Sequence, residues 1–123
     1  MKLRRAVLAS LICTPAWAQP PNDDAYRATK DELIAQLMGI GFPKAGINSM
    51  GIGGMVISFH EICGEHMYSR ESTGNFLASL LEESGLPEEI FNKYTAQFAV
   101  IEMDMLRRNE AYAITACEKM KQP

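Results

Sequence analysis

Both histidines of the chain fall in one short run, His60-Glu61-Ile62-Cys63-Gly64-Glu65-His66, and metal chemistry is the first reading to test on it. A zinc-protease helix carries His-Glu-x-x-His, which sets two imidazoles one turn apart on one face with the Glu as base. Here Gly64 stands where the second His belongs, and His60 and His66 lie about 240° apart around a helix. Cys63 and His66 do have one-turn spacing, and Cys117 could add a third ligand, but only if both thiols are free. The sequence favours paired thiols, so no metal and no cofactor is expected.

Catalytic arrangements fare no better. Glu61 and Glu65 are one turn apart, a spacing that serves acid–base work only when burial raises one pKa. On an acidic helix they read as solvated side chains. Met103 and Met105 are about 200° apart on a helix and cannot hold one copper ion together. The methionines instead suit an irregular helical core. Gly41-x4-Gly46 continues into Ile47-Asn48, not the Lys and Ser or Thr of a phosphate loop. Gly51-Ile52-Gly53-Gly54 lacks the later glycine of a dinucleotide loop, and no strand precedes it. Asn48-Ser49-Met50-Gly51 misses the first glycine of a nucleophile elbow. No catalytic residue is assigned, and the expectation is a non-enzymatic protein. Asp104 with Arg107 and Arg108 reads as a solvated ion-pair face with no role.

One pattern does suggest contact with a partner. Ala45, Ser49 and Gly53 recur every four residues in a run, Ala45 to Phe59, that holds no charged residue. If helical, they form a strip of small side chains against which a partner helix or a membrane segment could pack closely.

The elements that position these residues read as helices. Asn22, Asp23 and Asp24 are cap-type residues before a segment reaching about Met38, with Ala25, Tyr26, Thr29, Leu33, Leu37 and Ile40 on one side. Residues 39–54 contain six glycines, each costing ~1 kcal/mol in a helix relative to alanine, and read as an apolar loop. Helix resumes near Met55 and passes through Cys63. Ser72 or Thr73 then caps a short helix with Phe76, Leu77, Leu80 and Leu81 on one face. Gly85 and Pro87 mark a tight helical hairpin. A long helix over 87–120 follows. Phe91, Phe98, Met105 and Tyr112 share its buried side with Ala99, Leu106, Ala113 and Cys117, and the polar run at 107–110 is a point of bending or breaking. No segment alternates with strand period.

The first eighteen residues read as an address. Lys2, Arg4 and Arg5 precede the short apolar run Ala6 to Cys13, and Thr14-Pro15-Ala16-Trp17-Ala18 supplies small residues before a cut after Ala18. That is the layout of a cleaved secretory signal, far too short to span a bilayer of ~30 Å. Arg4-Arg5 leaves both the general and the twin-arginine export routes open. Residues 19–123 then form a single helical domain with a disordered lead at 19–22, placed in the periplasm or outside the cell.

Cleavage changes charge and cysteine count. The chain holds 12 basic and 15 acidic residues. Losing three basic residues makes the mature protein strongly acidic, which excludes nucleic acid as a partner. Cys13 leaves with the signal, and the remaining pair, Cys63 and Cys117, reads as a disulfide in an oxidising compartment. It closes a loop of about 54 residues and disfavours the unfolded chain by roughly 4 kcal/mol.

The expected architecture is all-α, a small bundle of about four helices with one disulfide. Its expected work is binding another protein. The layout, an exported small helical chain with one disulfide spanning about half of it, is similar in plan to that of the HdeA-type acid-stress chaperones. That resemblance implies a periplasmic chaperone as an alternative role, with no residue role carried over. A membrane-associating protein acting through 45–59 is the other alternative.

Overall fold

The computed structural model describes residues 21–64 and 69–120. The signal reading at 1–18, together with Glu65 and His66, lies outside the described residues. Within them the fold is all-helical with no strand and has five helices, one more than the sequence suggests. They are α1 (Asp24–Ile40), α2 (Lys44–Cys63), α3 (Arg70–Ser84), α4 (Glu88–Arg108) and α5 (Glu110–Met120).

Helix α1 begins where Asp23, in extended backbone, accepts the Tyr26 N–H at 3.0 Å. It buries Tyr26, Leu33 and Leu37, a stripe narrower than the sequence suggests, since Ala25, Thr29 and Ile40 face solvent. Gly41 ends it with φ 107°, where its N–H reaches Leu37 O and Met38 O. That left-handed cap is where a glycine is required.

The expected loop at 39–54 is corrected by the structure. Only Gly41 to Pro43 is non-helical, and α2 runs unbroken through Gly46, Gly51, Gly53 and Gly54. Helix propensity is overridden by packing. A Cβ on Gly54 would lie 2.5 Å from Phe98 Cβ and 2.8 Å from the Ala99 nitrogen, so α2 and α4 touch backbone to backbone there. On Gly46 it would meet Leu86 and the Ser84 carbonyl, at 3.2 and 3.3 Å. The glycines weaken the isolated helix and permit the close approach that stabilises the folded one.

Helix α3 is capped one turn earlier than expected. Ser69, not Ser72 or Thr73, accepts the Ser72 N–H at 3.1 Å. Of its expected face Leu80 is buried and Phe76 is 45% exposed. Gly85, at φ 68°, closes α3, and Pro87 precedes α4 with Glu88 and Glu89 in the first turn.

The long helix expected over 87–120 is two. Asn109 interrupts it at φ −124°, ψ 63°, while its side-chain amide donates to Met105 O at 2.8 Å and Asp23 Oδ2 at 2.9 Å. An amide that bonds nearby backbone offers the chain an alternative to the helical ladder.

Helix α4 is the spine. One apolar cluster joins Leu33, Leu37, Ile47, Met50, Leu80, Phe91, Tyr94 and Phe98 from the first four helices. A second joins Tyr26, Phe59, Met105, Leu106, Ala113 and Ala116. Cys63, closing α2, and Cys117, in α5, sit at disulfide distance with Cα atoms 5.4 Å apart. The pairing expected from the cysteine count is what the fold brings together.

Candidate functional site

Two places stand out: a polar cluster inside the fold and an uncharged face outside it. The cluster is built on Glu102, which lies one turn from both Phe98 and Leu106 on the buried side of α4 and is only 2% exposed. A buried carboxylate needs donors. Two come from α1, one turn apart: the Tyr26 hydroxyl donates to Glu102 Oε2 at 2.7 Å and Lys30 Nζ donates to the same oxygen at 2.9 Å. Lys30 Nζ also donates to the Tyr26 hydroxyl at 3.0 Å, closing a triangle.

Burial, and then the Glu102 carboxylate beside it, push the Tyr26 hydroxyl up to about 12. Burial alone would lower the Lys30 ammonium, but its bonds to Tyr26 and Glu102 outweigh that and hold it above its ordinary value. Tyr112 on α5 is raised as well, by burial and by the Glu102 charge. At neutral pH the triangle keeps the Tyr26 proton and the Lys30 charge in place. It ties α1 to α4 and offers neither a free base nor a free nucleophile.

A second carboxylate anchors the same end of α1. Asp23 Oδ2 accepts from Arg108 Nε at 3.2 Å and from Asn109 Nδ2, while its Oδ1 caps α1. The Tyr26 N–H, then Asn109, then Arg108 hold the Asp23 carboxyl below its ordinary range. Arg108, itself exposed, therefore pairs with Asp23 and not with Asp104. Of the expected ion-pair face only Asp104 and Arg107 face each other, exposed and 3.9 Å apart.

Ser49 and Gly53, read as part of a partner-facing strip, are buried within the fold, whereas Ala45 is exposed. A Cβ on Gly53 would meet Thr95 of α4 at 3.0 Å and Leu77 of α3 at 3.5 Å. Ser49 and Gly53 pack α2 against its own neighbours, and Ala45 does not.

The outward side of α2 is a different row. Ala45, Asn48, Ile52 and Met55 recur at steps of three and four residues and are all exposed, Ile52 at 44% and Met55 at 38%. They form one uncharged stripe about 15 Å long. A surface helix ordinarily carries charge on its solvent side, and one that is apolar all round is ordinarily buried. Helix α2 is uncharged throughout Ala45–Phe59 yet leaves this side uncovered.

Glu61 is exposed on the last turn of α2. Among the described residues no group of three His, Cys, Asp or Glu side chains is placed to hold a metal ion, and no helix is long and apolar enough to cross a membrane.

Compared with known proteins, the chain matches no family model, no curated protein and no solved structure.

Sequence reasoning missed the triangle. A signal was present: Glu102 falls between Ile101 and Met103, in register with the apolar rows, where a solvated carboxylate does not belong. Its donors sit 72 and 76 positions away and have no local signature.

Proposed function

We propose that this is a small exported protein, held by one disulfide, that works by binding another protein through the uncharged outer face of α2. The observation that carries the reading is a helix uncharged on every side over Ala45–Phe59 with one side left in solvent. Large contiguous exposed apolar patches mark contact sites, and Ile52 and Met55 are adjacent on this face. The reading is non-enzymatic: Tyr26, Lys30 and Glu102 are committed to one another, and the buried His60 Nε2 has no partner beside it among the described residues. Export to the periplasm rests on the leader sequence at residues 1–18.

The test is site-specific photo-cross-linking in the periplasm of the native host. A cross-linker at Met55 is expected to give a discrete adduct, and one at Gln97 on the exposed side of α4 is not. Adding Ile52→Glu should abolish the Met55 adduct. Equal adducts at both positions, or an adduct indifferent to Ile52→Glu, would overturn the reading.

A second reading is favoured by a separate observation. The Asp23 carboxylate that caps α1 and holds it to Arg108 and Asn109 sits below its ordinary range, so acid weakens the attachment of a helix that covers apolar surface. That suits an acid-stress chaperone of the HdeA-type plan. It predicts that the protein suppresses aggregation of an unfolded client at acid pH and not at neutral pH. A protein that stays compact and inactive towards clients in acid would exclude it.

A further inference from the structure

The break between α4 and α5 is one residue long, and the apolar pattern around it does not call for one. Phe91, Phe98, Met105 and Tyr112 recur every seven residues, as do Ala99, Leu106, Ala113 and Met120, and both rows pass Asn109 without losing phase. That is the pattern of one continuous helix. No glycine or proline lies between Glu88 and Met120, so the usual breakers are missing. The backbone ladder also runs up to the break and away from it: the Asn109 N–H donates to Met105 O at 3.0 Å, and the Asn109 carbonyl accepts the Ala113 N–H at 3.0 Å.

What holds the break comes from the far end of the chain. Asp23 Oδ2 accepts from Asn109 Nδ2 at 2.9 Å and from Arg108 Nε at 3.2 Å, with Arg108 Nη2 3.1 Å away. One carboxylate therefore grips both the last residue of α4 and the residue of the break. The other charged groups at this corner are Asp24 and Arg27, paired with each other, Arg107, facing Asp104, and Glu110. Among the described residues only Arg108 is ion-paired with Asp23.

A second restraint acts on the other end of α5, where Cys117 is bridged to Cys63. Helix α2 runs alongside α4 in the same direction, with Gly54 on Phe98 and Phe59 in one cluster with Met105 and Leu106. Cys63 is thus about level with the end of α4, whereas a straight helix would carry Cys117 ~12 Å beyond Asn109. The bridge fits the broken form and not the straight one.

We propose that α5 is a strap with two catches, the Cys63–Cys117 bridge at its far end and the Asp23 carboxylate at the Asn109 hinge, and that releasing both joins α4 and α5 into one helix over 88–120. Opening the bridge takes a dithiol, which gives up two electrons and two protons and closes its own S–S bond while Cys63 and Cys117 become thiols. Freeing the hinge takes a proton on Asp23. Because the fold holds that carboxyl below its ordinary range, this catch is closed at neutral pH and yields in acid. Joining withdraws Ala113 and Ala116 from the second apolar cluster and takes their cover from Phe59, Met105 and Leu106. The device does not depend on what the α2 face binds.

Gadolinium spin labels on unnatural amino acids at Gln97 and Lys119, both exposed, leave the cysteines untouched and report their separation by pulsed dipolar spectroscopy. The joined helix sets it at ~33 Å, and the broken one holds it shorter. Asp23→Asn removes the charge and keeps a good cap residue. Oxidised wild type and oxidised Asp23→Asn are expected at the shorter distance. Reduced wild type at neutral pH should stay there with a broader distribution. Reduced Asp23→Asn and reduced Asn109→Ala should both move to ~33 Å with helical circular dichroism retained.

Reduced wild type at ~33 Å in neutral solution would overturn the Asp23 catch, and oxidised Asp23→Asn at ~33 Å would overturn the bridge as a catch. A short distance in both reduced variants, or a broad one with loss of helical signal, would overturn the joined helix itself.

Discussion

The Tyr26 hydroxyl donates to Glu102 across 76 positions of sequence, at 2.7 Å, beside the second apolar cluster, of which Tyr26 is a member. Glu102 gains two donors from α1, and α1 gains an attachment that three buried side chains alone would supply weakly. Hydrogen bonds to charged groups contribute about 1.5–3 kcal/mol, and a buried carboxylate left short of donors costs the same order. Tyr26→Phe is therefore expected to lower unfolding free energy by about 1.5–3 kcal/mol in urea titration. A double-mutant cycle with Lys30→Met should show coupling, because both donors share one oxygen.

Stability on the alkaline side follows from the same triangle. The unfolded chain ionises Tyr26 near 10, while the fold holds that proton to about 12. A raised folded value stabilises fully below the unfolded one and is lost as pH rises through the folded one. Lys30, also raised, acts in the same direction. The urea midpoint should fall over this window, and more gently in Tyr26→Phe.

The acid side is governed in part by Asp23, with the opposite sign. Its folded value is depressed below 3.8, so its contribution is present above that pH and is lost as pH falls through the folded value. Asp23→Asn should lower stability at neutral pH and flatten the acid limb of the urea midpoint against pH. Amide exchange should locate the loss in the first turns of α1. An acid limb unchanged by Asp23→Asn would show that the Asp23 charge contributes nothing.

The glycines of α2 divide into two classes that thermal unfolding can tell apart. At Gly54 an added Cβ would press on α4 backbone, so Gly54→Ala should destabilise by about 1–3 kcal/mol despite alanine's better helix propensity. At Gly51 the nearest atom, on the Phe98 ring, is 4.0 Å away, and at Gly74 of α3 nothing lies within 4 Å. Gly51→Ala and Gly74→Ala should each stabilise, by up to about 1 kcal/mol.

This division explains why part of the fold was legible and part was not. Phe91, Phe98 and Met105 repeat every seven residues, so the buried side of α4 could be read directly. The caps at Gly41 and Gly85 follow from local backbone rules. Helix α2 could not be read, because its glycines oppose helix locally and favour it only through α4 backbone many residues away. The outer stripe was hidden with it: Ile52 and Met55 become a surface only once Gly53 and Gly54 fix which way α2 faces. The triangle was illegible for a related reason, since Glu102 looks like a defect in an apolar row until Tyr26 and Lys30 are placed beside it.

Helix α5 raises the last question, which is what keeps it in place. It has 11 residues and fully buries only Ala113 and Ala116. Isolated helices below about 12–15 residues are marginal in water, so α5 persists by attachment. Cys117 lies one position beyond Ala116 and ties it to the end of α2, the helix most closely packed on α4. Reduction should act at two levels. Global stability should fall by roughly 4 kcal/mol through the freed unfolded chain. Locally, α5 amides should lose protection first, while those of α4 around Phe98 retain theirs to the global limit. Hydrogen exchange on oxidised protein, reduced protein and the Cys63→Ala, Cys117→Ala pair separates the levels. Uniform loss across all helices would make α5 part of one cooperative unit. Early loss confined to α5 would make the disulfide its principal hold, with Tyr112 then leaving the neighbourhood of Glu102 and its phenol titrating nearer its ordinary value.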